Sequence, residues 1–197
     1  HPDRVLTLCL IDPAGAVSPR PCDRERALAR GENPLVPKTR EQFHELMGYV
    51  FYKKPFLPWP AYSVLADRYM ELSSFNEKLW NDVWTNRKDV ANHLGDLHMP
   101  VLLLWGDKDR IIDVSTVSVF EQGIPQIRTV IFKDCGHVPM IEIPKVAAGT
   151  CRFPGRSGKD GRAGKRGSPE SSPITVPSLS ATGIGMLTKK QREIMNL

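Results

Sequence analysis

The chain has 197 residues, 41% of them hydrophobic, which is enough for one ordinary domain with a packed core. Its net charge of +5 is unevenly placed: residues 1–148 hold 18 basic and 19 acidic side chains, residues 149–197 nine and three. The basic balance belongs to the carboxyl-terminal stretch, so the larger part carries no polyanion-binding footprint. Cys9, Cys22, Cys135 and Cys151 are widely spread with no C-x-x-C pair, which argues against a disulfide framework or a zinc site. No apolar run approaches the roughly 20 residues that cross a bilayer.

Val5 to Ile11 is a near-continuous apolar run, the pattern of a parallel strand covered on both faces. Asp12-Pro13-Ala14-Gly15 ends it with turn chemistry. From about Pro21 to Asn92 the pattern is helical. Thr39 with Gln42 predicts a capping box, and Phe43, Leu46, Met47, Val50 and Phe51 then share one helix face. Ser74 with Glu77 predicts a second box, ahead of a stripe of Phe75, Leu79, Trp80, Val83 and Trp84. About 70 helical residues between two buried strands read as a cap over a sheet. The sheet resumes at Pro100 to Trp105. A helix is predicted over Asp113 to Gln122 with Gly123 at C′, and a strand over Ile127 to Phe132. Pro144 fits the first turn of a closing helix that starts near Glu142. From Gly149 to Pro177 almost no apolar residue occurs, and such a segment cannot offset its ordering entropy. Met186 to Leu197 could form a short helix, marginal by itself.

Two turns carry the chemistry. Asp109 lies three residues beyond Gly106, and His137 follows Gly136, each on the exit of a buried strand. Open α/β sheets place their chemistry at that end. A carboxylate there can hold an imidazole in one tautomer, and the imidazole can take and return a proton. Asp107 and Asp113 compete for the acidic role, although Asp113 is better explained as a helix N-cap. His44, His93 and His98 read as structural or surface residues. Asp107-Lys108-Asp109 with Asp113 evokes a calcium loop, but Ile112 stands where its glycine is required.

The segments Pro100 to Asp109 and Gly136 to Pro144 resemble the acid and histidine segments of α/β-hydrolases. His1-Pro2-Asp3-Arg4-Val5 resembles the stretch that leads from the helix after the nucleophile into the next core strand. The closer similarity is to bacterial lipases and the related monoacylglycerol lipases. It is carried by Ile11-Asp12-Pro13-Ala14-Gly15 and by Trp105 through Asp113-Val114-Ser115, and it covers about residues 1–148.

The resemblance implies an α/β fold: carboxyl-terminal strands of a mostly parallel sheet, an inserted helical cap and a disordered basic tail. It divides the chain into a core strand and turn (1–20), a helical cap (21–96), the acid and histidine loops (97–148) and the tail (149–197). It implies Asp109 and His137 as catalytic residues that activate a serine, and Phe51, Phe56, Leu57 and Trp59 as an acyl-binding surface. The implied substrate is a small-molecule or lipid ester met at a lipid interface, with no metal, no organic cofactor and no specific nucleic acid.

No Gly-x-Ser-x-Gly occurs in the sequence, and Gly155-Arg156-Ser157-Gly158 lacks its spacing. The expectation is therefore a carboxyl-terminal fragment, inactive alone, whose serine and oxyanion-hole glycines precede residue 1. The tail reads as frame-shifted or foreign sequence, with Met186 resembling a fresh start. Two alternatives stay open: another enzyme of the same fold (dehalogenase, carbon–carbon hydrolase or haloperoxidase), or a noncatalytic protein that binds polyanions through Arg152 to Gly167.

Overall fold

The computed structural model describes residues 4–151 and the strand 174–176. Its centre is a parallel sheet in the order β1 (Leu8–Ile11), β2 (Val101–Gly106), β3 (Ile127–Phe132), β4 (Ile174–Val176). Leu8 pairs with Val101, Val101 with Ile127 and Val130 with Ile174, so all four strands run in one direction. Their carboxyl ends consequently emerge on one side.

β2 is buried along all six residues, which is why it reads as an unbroken apolar run. Strand periodicity then divides its side chains. Val101, Leu103 and Trp105 join Ile112, Val117, Phe120 and Ile124 on one face. Leu102 and Leu104 meet Val130, Phe132, Cys135 and Ala147 on the other.

Between β1 and β2 stand four helices: α1 (Asp23–Ala29), α2 (Arg40–Val50), α3 (Trp59–Glu71) and α4 (Ser73–Thr85). α2 and α3 share a separate core in which Phe43, fully buried, packs among Leu46, Ala66, Tyr62 and Tyr69. A 3₁₀ turn, Ala91–Asp96, leads back to the sheet. After β2 come a 3₁₀ turn (Val114–Thr116) and α5 (Val117–Gly123). After β3 come two short helices, α6 (Pro139–Glu142) and α7 (Pro144–Thr150).

Several sequence expectations change. β1 starts at Leu8 rather than Val5, because pairing with β2 begins there, and Val5 and Leu6 are exposed. Thr39 does cap α2 by accepting the Gln42 N–H, but Gln42 Oε1 reaches the Lys38 N–H instead of closing the box. The Ser74–Glu77 box does not form: α4 begins at Ser73, and Glu77 pairs with Lys38 Nζ. Phe75, Leu79 and Val83 of its stripe are exposed, while Trp80 and Trp84 stack on each other at 5.1 Å. The guanidinium groups of Arg87 and Arg24 lie 3.8 and 5.6 Å from the Trp84 ring.

Gly123 is the last residue of α5 rather than a left-handed C′. What requires glycine is close approach, since a Cβ there would sit 2.7 Å from Leu94 Cβ. α7 continues through Thr150, and the β-branched Ile174-Thr175-Val176 pair with β3. The basic run Arg152 to Gly167, the Gly155–Gly158 segment and the Met186 to Leu197 helix lie outside the described residues.

Two glycines make a matched test. Gly123→Ala should lower the unfolding free energy by about 1–3 kcal/mol through overpacking against Leu94. Gly149→Ala, with nothing within 4 Å of the new methyl, should be neutral or stabilising by up to about 1 kcal/mol through helix propensity. Urea unfolding of the two variants checks both.

Candidate active site

The exit turns of β2 and β3 touch. Gly106 ends β2 so close to the next turn that a Cβ would lie 2.1 Å from Gly136 O and 2.5 Å from Cys135 O. The Lys108 N–H donates to Cys135 O at 2.9 Å, and the Asp107 N–H to Phe132 O at 3.0 Å. Asp109 and His137, 28 residues apart in sequence, are thereby brought face to face.

His137 Nδ1 lies 2.8 Å from Asp109 Oδ2. The other oxygen of Asp109 accepts the N–H groups of Ile111 (2.8 Å) and Ile112 (3.0 Å). Its carboxylate is 0% exposed, whereas the imidazole is 24% exposed. The acid is thus held from both sides and the base retains an open edge. With Nδ1 turned to Asp109, Nε2 is the ring nitrogen left to exchange a proton. The competing acids are engaged elsewhere. Asp113 caps the following turn through the Ser115 N–H at 2.8 Å and pairs with Arg20. Asp107 receives the Cys135 N–H at 3.4 Å.

Two carboxyl groups that the sequence reading left out of the site hold its turns from behind. Asp12, at the carboxyl end of β1 with φ of 42°, is 4% exposed. Its Oδ1 accepts the Gly106 N–H at 2.9 Å, and its Oδ2 has no partner among the described residues. Burial pushes its carboxyl up to about 9; the Gly106 N–H acts in the opposite sense, and the charges of Asp109 and Glu142 add to the rise. Glu142 accepts the Gly136 N–H at 3.0 Å. Cys135, between these groups, is pushed up to about 12 by burial and then by Glu142, Asp12, Asp107 and Asp109. It stays a thiol and is no nucleophile near neutrality.

The four apolar candidates differ in exposure. Phe51 is half-buried at the end of α2, while Phe56 and Trp59 are 86% and 72% exposed. Trp59 stacks on Tyr62 at 6.4 Å. Leu57 lines an open groove of about 600 Å³ along α3 with Pro60, Ala61, Val64, Leu65 and Arg68. A second groove, about 240 Å³, lies beside Asp109 and is lined by Cys22, Asp23, Arg26, Tyr52, Lys108, Arg110 and Asp113. His44 contacts the Tyr62 hydroxyl and His93 contacts Asp96. Among the described residues, no group of three or more His, Cys, Asp or Glu could hold a metal ion.

Residues 51–144 match the family described as alpha/beta hydrolase fold. Lipase 1 of Psychrobacter immobilis is 33% identical over 143 residues, covering 72% of this chain and 45% of that protein. Monoacylglycerol lipase ABHD6 of Rattus norvegicus is 25% identical over 157 residues, covering 75% and 47%. Among solved structures, a membrane phospholipase A described as a novel bacterial virulence factor is 39% identical. It superposes with a TM-score of 0.74 over 76% of this chain and 48% of its own. The chain spans about half the length of the curated relatives it matches.

Asp12 provides a pH test. Its folded-state value lies above the ordinary 3.8, so between pH 3.8 and about 9 the folded state holds a proton that the unfolded state has lost. Its contribution to stability is complete below pH 3.8 and fades as pH rises through that window. Asp12→Asn keeps the acceptor for Gly106 and removes the titration. The variant should gain on the wild type as pH rises, by about 1 kcal/mol or more at pH 8. Thermal unfolding from pH 5 to 9 checks it, and parallel curves would refute the assignment.

Proposed function

The chain belongs to the α/β-hydrolase superfamily, and from that premise we propose that it carries the acid and base of a serine ester hydrolase of the lipase type. Asp109 is the acid and His137 the base of a Ser-His-Asp triad. The serine comes from sequence outside these 197 residues, which contain no Gly-x-Ser-x-Gly. The single observation that carries the reading is the 2.8 Å contact of His137 Nδ1 with a fully buried carboxylate on the neighbouring strand exit.

In this reading, Nε2 of His137 takes the proton of the serine hydroxyl as its oxygen attacks the ester carbonyl carbon. The ester C–O bond then breaks, and the same proton goes to the departing alkoxide, leaving an acyl-serine. Water repeats the sequence and releases the carboxylic acid. Asp109 keeps Nδ1 protonated and steadies the imidazolium that forms in each step. Helices α1–α4 form the cap, and Phe51, Phe56, Leu57 and Trp59 supply its acyl-binding surface, with the groove along α3 beside Leu57. Acyl glycerols are the proposed substrates, in keeping with the lipases among the relatives.

The test uses a protein in which these residues are joined to their nucleophile-bearing segment. There His137→Ala should reduce kcat for a short-chain p-nitrophenyl ester by at least about 10³-fold, and Asp109→Asn by a comparable factor, with KM nearly constant. The 197 residues alone should hydrolyse the ester no faster than their own His137→Ala variant. Turnover that survives loss of His137 would overturn the reading.

A further inference from the structure

Where one side chain collects backbone donors from two distant segments, it fixes those segments relative to each other. Glu142 does this beside the paired turns. Its Oε2 accepts the N–H of Gly136 at 3.0 Å and of Tyr52 at 3.2 Å, and its Oε1 accepts the N–H of Lys53 at 2.7 Å. Gly136 is the residue before His137, and Tyr52 and Lys53 follow the end of α2. None of these three amides lies in a helix or strand ladder, so the carboxylate satisfies donors that the fold leaves over. Hydrogen bonds to an ionised acceptor are roughly twice as strong as neutral ones.

The same two segments are joined a second time. The His137 N–H donates to Val50 O at 2.9 Å. They are packed to the limit as well: a Cβ on Gly136 would lie 2.7 Å from Tyr52 N and from Val50 O, and 3.1 Å from Glu142 Oε2. Glu142 itself is anchored on α6, where its N–H returns to Val138 O at 3.0 Å. One carboxylate thus closes a loop of chain around the histidine: α6 behind it, Gly136 before it and the exit of α2 beside it.

The geometry points to Glu142 as a positioning residue that locks the His137 loop onto the exit of α2, so that displacement of Tyr52 and Lys53 is felt at the imidazole. The inference rests on the reading of His137 as the proton-transferring base. Glu142 touches no reacting atom. It acts by fixing the backbone from which the imidazole projects toward Asp109. A ligand entering against the inserted helices and shifting residues 51–53 would therefore alter the alignment of His137 without contacting it.

The experiment is nitrogen-15 NMR on the full 197-residue chain, reading amide exchange at Tyr52, Lys53, Gly136 and His137 together with the tautomer of the His137 ring. In Glu142→Ala, exchange at the four amides should rise at least tenfold and the preference for the Nδ1–H tautomer should be lost. In Glu142→Gln, one oxygen can still serve Gly136 and Tyr52 while the side-chain NH2 opposes the Lys53 N–H. Exchange should then rise tenfold at Lys53 with little change at Gly136 and the tautomer kept.

If Glu142→Ala loses its dispersed spectrum, the glutamine variant decides. Unaltered Lys53 exchange in it would overturn the proposal. So would a folded alanine variant whose exchange or ring tautomer matches the wild type. Asp109→Asn separates the two readings: it should remove the tautomer preference while leaving the four amides within twofold. An imidazole indifferent to Asp109→Asn would condemn the base assignment, whereas the amides would still report on Glu142.

Discussion

Main chain meets main chain at Gly106. The end of β2 presses so closely on the turn after β3 that no side chain fits between them, and the acid and the histidine are carried on those two turns. Parallel pairing of β2 with β3 places both exits on one side of the sheet. Removal of a single Cβ then lets the exits stack. Distance in sequence ceases to matter, and a 2.8 Å contact follows from geometry that two adjacent strands and one glycine impose. Asp12 reinforces the arrangement from β1 by accepting the Gly106 amide.

What was legible in the sequence follows from which forces leave a pattern. Burial on both faces writes a continuous apolar run, so β2 could be placed to within a residue at each end, and β3, interrupted by the exposed Arg128, was placed by its β-branched and apolar residues. Strand-exit position, with a glycine nearby, made Asp109 and His137 candidates but left Asp107 beside Gly106 in competition, and it was the resemblance to α/β-hydrolases that favoured Asp109. The boundaries that failed depend on partners rather than on pattern. β1 begins only where Val101 is available to pair, and Glu77 abandons a local cap for Lys38, 39 residues away. Asp12 and Glu142 were illegible as site residues for the same reason. Each works by accepting backbone amides, and an amide is present at every residue except proline, so no spacing betrays its target. The position of Asp12 at the carboxyl end of β1 was the one available signal.

Acidic side chains dominate the region behind the imidazole. Asp12, Asp107, Asp109 and Glu142 all act on Cys135, and Asp109 with Glu142 acts on Asp12. Such crowding is tolerated because most of the carboxylate oxygens are spent on backbone N–H groups, and because Asp12 retains its proton near neutrality. The polar interior here is a scaffold of carboxyl-to-amide bonds. Two apolar clusters enclose it, one on each face of β2.

Helix α4 is attached on different terms. It buries no residue completely; Trp80 stacks on Trp84, whose ring is approached by Arg87 from its own end and by Arg24 from α1, and Glu77 pairs with Lys38. The arginine head groups on that indole share the planar, charged unit of the denaturant guanidinium, which therefore competes for the same cation–π contact, while uncharged urea makes no cation–π contact there. The two denaturants are therefore not interchangeable for this molecule. Urea acts on the sheet and its helices through the surface exposed on unfolding, while guanidinium in addition competes for the Trp84 face that Arg87 and Arg24 approach.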